Sequence, residues 1–225
     1  MKTQNKKSQW LKPTLALFCA ALMAGCASSG YKQADKTGEA INTLRNDVLN
    51  IKTSVDASLK AMDDLAAAAS TDPRKAYESF AKSVTQVENA GNKAKKNAES
   101  MQAKGDAYFQ QWETQINAVQ NEKIRELAKE RKAKLQEAFA NIKKSAEGAK
   151  ETFPAFLSDL KDLRTLLSTD LTVQGISAAK GIFKKTKSEG LDVKKHLDEL
   201  EAELNTVVAA ITAAKMPETP AEPKK

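Results

Sequence analysis

The side chains best suited to acid–base or metal chemistry lie near the C-terminal end of the chain. His196 is the single histidine, with Asp192 four residues before it and Glu199 three residues after it. On a helix this spacing brings the three side chains onto one surface, and a Glu–His pair at such spacing occurs in helical bundles that hold two metal ions. Those sites need a second histidine, which the chain lacks. We therefore interpret His196 as a solvated side chain and expect neither a metal nor another cofactor.

The two cysteines lie near the N-terminus, in a segment typical of a secretory signal. Its opening is basic, with lysines at positions 2, 6, 7 and 12 and no acid. The apolar run 15–23 follows, and its length of about ten residues is half of the roughly 20 needed to cross a bilayer. Residues 1–25 are therefore predicted to be a signal peptide that is removed, and not a membrane-spanning helix.

The end of this segment resembles the lipobox of bacterial lipoproteins. It reads Leu22-Met23-Ala24-Gly25-Cys26, and it departs from the usual pattern in having Met rather than Leu three residues before the cysteine. The resemblance implies that the Cys26 thiol is diacylated, that the chain is cut just before it, and that the new amine is acylated. Ala27 follows in place of Asp, which implies sorting to the outer membrane. The alternative is an ordinary cleaved signal with an incidental cysteine.

The charge of the predicted mature chain is small. The full sequence carries a net charge of +7, but removal of residues 1–25 leaves 32 basic and 29 acidic side chains, a net charge of +3. The basicity therefore belongs largely to the signal, and we expect no nucleic-acid partner. Only 5% of the residues are aromatic, which is a poor composition for a deep active-site pocket. Without a phosphate-binding loop or a nucleophile elbow, the sequence predicts a protein that is not an enzyme and has no catalytic residue.

Apolar residues recur at alternating steps of three and four, the pattern of bundled or coiled helices. The pattern predicts four helical segments, each with an apolar stripe along one face, which we call its seam. The four seams run over residues 41–69, 77–112, 124–167 and 176–214. Turns are expected at 70–73, where Asp72 can cap a helix that Pro73 begins, at 120–121 and at 168–172. Pro154 should kink or break the third helix near residues 151–153.

These segments predict an all-α fold, an elongated antiparallel four-helix bundle with up-down-up-down order over residues 34–215. Residues 26–33 are expected to be a short lipidated tether, and residues 216–225, with three prolines and no apolar period, a disordered tail. The alternative architecture is a pair of long hairpins that complete their seams only in an oligomer.

A further set of spaced residues runs through the second, third and fourth segments. It comprises Phe109, Trp112, Glu113, Ile116, Asn121, Arg125, Leu135, Phe139, Ala146, Pro154, Phe156, Leu160, Leu163, Leu171 and Ile176. This pattern resembles a bacterial domain-of-unknown-function family of secreted helical proteins, family number 2959. The similarity covers residues 35–212 and departs from the family at its Asn-rich turn, where this chain has the segment 168–172. It supports the fold and the secreted compartment and supplies no catalytic residue.

Two groups of side chains are candidates for binding. Tyr108, Phe109 and Trp112 are interpreted as core residues, but if they were exposed near one end they would be the first candidate for a partner patch. The mixed-charge run 122–134 is interpreted as a solvated helix face, with Glu130 and Lys134 as a favourable pair. A third set of lysines could instead face anionic lipid or the cell wall. It comprises Lys93, Lys95, Lys96, Lys143, Lys144, Lys184, Lys185 and Lys187.

Together these observations predict a lipoprotein anchored in the outer membrane and facing the periplasm, with a non-enzymatic role as a scaffold or partner-binding module of the cell envelope. A stress-related, chaperone-like binder of unfolded chains is the alternative. The expected partners are the membrane, through the lipid, and envelope proteins, and self-association is compatible with the seams. Lys225, at the end of the proline-rich tail, is a candidate for attachment to the cell wall; the simpler interpretation is a solubilising tail.

Overall fold

The structure is a computed structural model that describes the backbone of residues 20–213 and the side chains of residues 32–211. The described backbone forms five helices and no strand: α1 (Ala20–Ala68), α2 (Pro73–Asn117), α3 (Glu122–Thr169), α4 (Val173–Ala178) and α5 (Lys180–Ala213). Only Ala179 separates α4 from α5. Its N–H donates to the carbonyl of Gly175, and its own carbonyl accepts from Phe183. The all-α prediction is confirmed, with four long helices and one short one.

Local capping signals fix where the long helices begin. The Asp72 carboxylate accepts a hydrogen bond from the N–H of Arg74, and Pro73 occupies the first turn of α2. The Asn121 side chain accepts from Ile124 at the start of α3, and Thr172 accepts from Gly175 at the start of α4. These side chains satisfy amides that have no partner inside the helix. The three turns lie where the sequence predicted them.

The four long helices form a bundle in which α1 packs against α2 and α5, and α3 packs against the same two helices. Short turns make consecutive helices antiparallel. The core between them contains fully buried side chains from each long helix, such as Ile41, Phe80, Leu160 and Leu204. Because one chain supplies all four helices of this core, the single-chain bundle accounts for the seams without an oligomer.

A buried carboxylate aligns α1 with α2. Asp47 is only 2% exposed, accepts a hydrogen bond of 2.5 Å from the Asn97 amide, and lies 3.1 Å from the Lys93 ammonium. A buried charge is costly without such partners. A slip of α2 along α1 would separate these groups, so the pair favours one register.

Two expectations about chain breaks differ from the structure. Pro154 was expected to kink or break α3 near residues 151–153. It lies inside α3, which is continuous from Glu122 to Thr169, so the helix is not broken there. The missing N–H of proline is tolerated because its neighbours are held by packing, Phe153 against Gly91 and Phe156 in the core. Residues 26–33, expected to be a tether, have the helical backbone of α1. The tail 216–225 lies outside the described residues, as does most of the predicted signal peptide.

Candidate functional site at the α2–α3 tip

The hairpin of α2 and α3 extends beyond the described side chains of α1. The hydroxyl of Thr37 donates to the carbonyl of Lys104 at 3.3 Å, so Thr37 of α1 is level with that point on α2, and the α1 backbone continues beyond it to Ala20. On the other helix of the hairpin, Phe139 packs against Gly105 at the same level. We define residues 106–134 as the α2–α3 tip. Within it only Ile116 is buried.

The tip contains an aromatic cluster. The ring centroid of Tyr108 lies 5.6 Å from that of Phe109 and 5.4 Å from that of Trp112, and Phe109 meets Phe139 edge to face at 5.1 Å. Burial raises the pKa of the Tyr108 phenol above its usual value, while the positive charge of Arg131 opposes that rise. Tyr108, Phe109 and Trp112 are half-buried. The expected core placement is thus only partly met, since each of the three keeps a face open near one end of the bundle.

Two large apolar side chains of the tip are exposed. Ile124 is 55% exposed and Leu127 is 62% exposed, although the sequence pattern placed both in the buried seam of α3. Ile124 precedes the buried Ile142 by 18 residues, which is five helical turns, so the two lie on the same face of α3. The face is continuous, but it is buried at Ile142 and exposed at Ile124. The sequence correctly predicted the face and missed where its cover ends.

Charged side chains surround this apolar pair. Lys132 of α3 pairs with Glu113 of α2, which lowers the pKa of the Glu113 carboxyl. The predicted pair of Glu130 with Lys134 is confirmed at 2.7 Å. Further pairs join Arg125 with Glu122 and Lys129 with Glu126. Residues 122–134 hold six cations and three acids, so this side of the tip carries a net positive charge.

The other candidate residues lie far from the tip or outside the described side chains. His196 is not fully solvated: its side chain is 28% exposed, packs against Gly148 of α3, and places Nδ1 3.4 Å from a Glu199 oxygen. Of the lysines considered for an anionic surface, Lys93, Lys185 and Lys187 have acidic partners. The side chains of Cys26 and Lys225 are not among those described.

The described residues contain no group of three or more His, Cys, Asp or Glu placed to hold a metal ion. Among the same residues, no helix is long and apolar enough to cross a membrane. The tip combines exposed apolar side chains, half-buried rings and cations. Such a surface can bind a partner through contact and charge.

Comparison with known families bears on the whole of this architecture. A family model described as "Protein of unknown function (DUF2959)" matches residues 28–213. The chain belongs to this family. The match includes the tip and every long helix, and it extends slightly beyond the 35–212 expected from the sequence. No curated protein and no solved structure matches the chain. Membership of the DUF2959 family leaves the role to be inferred from the chain itself.

Proposed function

We propose that this protein is a lipid-anchored scaffold or partner-binding module on the periplasmic side of the outer membrane, and that it catalyses no reaction. The observation that carries the proposal is the position of the lipobox. Cys26 lies close to the start of α1, and α1 then continues without a break to Ala68. A lipid on Cys26 would therefore be joined directly to a helix of the bundle.

The dimensions of the bundle suit a scaffold. The 48 residues of α3 correspond to about 72 Å of helix. Partner binding requires accessible side chains, and the bundle has exposed apolar groups near both ends. Ile124 and Leu127 lie on the tip, and Leu166, Val173 and Ile182 lie around the opposite turn. A protein held by lipid at one end can present the other end to soluble or membrane-bound partners.

The anchor is tested by incorporation of a palmitate analogue into cells producing the wild type, Cys26→Ala or Cys19→Ala. Cys19 is the matched control, because the proposal removes it with the signal. The wild type and Cys19→Ala should be labelled and should fractionate with the outer membrane, whereas Cys26→Ala should not be labelled. Equal labelling of Cys26→Ala would contradict the anchor. Ala27→Asp should keep the label but shift the protein to the inner membrane.

The exposed apolar side chains also support the second candidate, a chaperone-like binder of unfolded chains, because such clients are recognised through apolar surfaces. An aggregation assay with an unfolded client separates the two roles. A scaffold should leave aggregation unchanged at stoichiometric amounts. Suppression by the wild type that is lost in Ile124→Ser/Leu127→Ser would favour the chaperone-like role.

Attachment of Lys225 to the cell wall is disfavoured by the position of the end of α5. A methyl group built on Gly38 would lie 3.6 Å from Cγ2 of Ile211, so the end of α5 lies beside α1 about 18 Å along the helix from Cys26. The end of α5 is therefore nearer to the predicted anchor than to the opposite end of the bundle. We expect the wild type to dissolve completely in hot detergent. A fraction that stays with purified cell wall until muramidase treatment, and is lost on deletion of Lys225, would support attachment.

A further inference from the structure

The apex of the tip and the predicted lipid anchor lie at the same end of the molecule. Thr37 and Lys104 are level, since they share a hydrogen bond. Cys26 lies eleven residues before Thr37 on α1, about 17 Å along the helix, and Ala118 lies fourteen residues beyond Lys104 on α2, about 21 Å in the same direction. A membrane that holds a lipid on Cys26 is therefore within reach of the turn between α2 and α3.

The surface at that apex combines apolar and cationic groups. Ile124, Leu127 and Arg131 are spaced by three and four residues, which places them on one face of α3. Lys123 and Arg131 are exposed, and within residues 32–211 no ion pair is described for either of them. Apolar side chains that enter the headgroup region, flanked by cations that meet lipid phosphates, are typical of helices at an anionic membrane surface.

We propose that the α2–α3 tip docks on the phospholipid surface, with Ile124 and Leu127 in the headgroup region and Lys123 and Arg131 against lipid phosphates. The proposal rests on the proposed function, because the lipid on Cys26 sets which end of the bundle faces the membrane. A second copy of the chain is a weaker choice of occupant. Two exposed apolar side chains offer far less than the roughly 800 Å² per partner of a stable interface.

The test places an environment-sensitive fluorophore on Leu127→Cys in the full lipidated chain, where the thiol of Cys26 is blocked by lipid. Leu191→Cys is the matched control, because the Leu191 side chain is 59% exposed, close to the 62% of Leu127. Leu191 lies on α5 between Lys187 and Lys194. These two lysines pair with Asp63 and Asp56 of α1. Leu191 is therefore level with about residue 60 of α1, some 35 Å from the level of Thr37.

In vesicles of phosphatidylethanolamine and phosphatidylglycerol, the probe at 127 should shift to shorter wavelength, brighten several-fold and be quenched by lipids labelled in the headgroup region. The probe at 191 should behave as it does in water. Lys123→Glu/Arg131→Glu, or vesicles of phosphatidylcholine alone, should reduce the change at 127. Identical spectra at the two positions in protein that sediments with the vesicles would overturn the docking and leave the anchor intact.

A second form of the protein distinguishes failure of the lipid anchor on Cys26 from failure of the docking. The mature chain with Cys26→Ser carries an N-terminal hexahistidine tag and is held on vesicles that contain nickel-chelating lipid. The same difference between positions 127 and 191 should appear, whether or not the natural chain is lipidated, and its absence would overturn the docking. If the fluorescence of the probe at 127 shifts without vesicles, and the shift grows with protein concentration, the tip binds a second copy of the chain. That result would also overturn docking on the phospholipid surface.

Discussion

The α2–α3 hairpin passes through two surroundings, and the contrast between them explains most of the molecule. Below the level of Gly105 the hairpin is joined by α1 and α5, and side chains such as Phe80, Val84 and Phe156 are fully buried. In the tip the same two helices have Ile116 as their one buried residue. The helical period is unchanged between the two regions. What differs is how much of the apolar face is buried.

The interactions between α2 and α3 also differ between the regions. In the four-helix part, Phe153 fills the space over Gly91, and the Tyr77 hydroxyl donates to the carbonyl of Arg164 at 3.0 Å. At the tip, the edge-to-face contact of Phe109 with Phe139 and the pair of Lys132 with the half-exposed Glu113 join the helices. Exposed ion pairs contribute little to stability, so we expect the tip to be held less firmly than the four-helix part.

The largest expected effect comes from removing a ring from the four-helix part. Phe156 is fully buried and contacts the backbone region of Gly190, so Phe156→Ala should lower the free energy of unfolding by about 3–5 kcal/mol. Phe109→Ala in the tip should cost clearly less, because that ring is half-buried. Urea unfolding followed by circular dichroism measures both. Equal losses would mean that the two regions are packed alike.

Glycines under aromatic rings should show the next largest effect. A methyl group at Gly91 would lie 2.5 Å from Cε1 of Phe153, and one at Gly105 would lie 2.6 Å from Cε1 of Phe139. Either Gly→Ala change should destabilise by about 1–2 kcal/mol, because the overlap outweighs the gain of about 1 kcal/mol in helix propensity.

Gly181 provides the matched control, since nothing lies within 4 Å of a methyl group there. Gly181→Ala should stabilise the protein by about 0.5–1 kcal/mol. Thermal unfolding should therefore order the variants with Gly181→Ala above the wild type and Gly91→Ala below it. Partial recovery of Gly91→Ala by Phe153→Leu would trace the loss to the ring, and stabilisation by Gly91→Ala alone would refute the packing assignment.

Local sequence signals predicted the helix ends well, because a cap is decided by a few adjacent residues. Asp72, Asn121 and Thr172 each bond an amide two or three residues later, and this geometry needs no knowledge of the rest of the chain. The seams likewise predicted the bundle, since the spacing of apolar residues shows which face of each helix is apolar.

Burial in the tip could not be predicted in the same way. Ile124 and Leu127 continue the seam of α3, yet they are exposed. The apolar spacing within one helix shows which face is apolar but not whether another part of the chain packs on it. Pro154 was expected to kink or break α3, and the helix is not broken there, because packing of its neighbours outweighs the loss of one hydrogen bond. His196 lacks an apolar signal, and its contact with Gly148 arises only when α3 and α5 cross.

Ion pairs should give smaller effects, with opposite pH dependence in the two regions. In the four-helix part, hydrogen bonds to Asp198 and Glu201 raise the pKa of Lys52 above 10.5. Its contribution is therefore complete at neutral pH and is lost as the pH rises through that raised pKa. Lys52→Met should cost less than about 1 kcal/mol at pH 7. The gap from the wild type should close above about pH 10.5, and a constant gap up to pH 12 would contradict the pairing.

In the tip, the smallest effect is expected from Glu113. Its hydrogen bond with Lys132 lowers the pKa of Glu113 below 4.5, so its contribution is present above that pH and is lost as the pH falls through the lowered pKa. The difference in stability between wild type and Glu113→Gln should therefore be small at pH 7 and vanish in acid. Acid titration of both proteins, followed by the fluorescence of the neighbouring Trp112, measures this difference in stability. A difference that stays constant as the pH falls to the end of the titration would assign the effect to packing rather than charge.

The contrast between the two regions is tested most directly by one unfolding experiment. The chain has two tryptophans, Trp10 in the predicted signal and Trp112 in the tip, so in residues 26–225 with Cys26→Ser the fluorescence reports the tip alone. Circular dichroism reports all helices, most of which lie in the four-helix part. In urea, the fluorescence transition of Trp112 should come at a lower concentration than the dichroism transition. Coincident transitions would show a single cooperative unit and would contradict the division of the bundle into a firmly packed part and a weakly held tip.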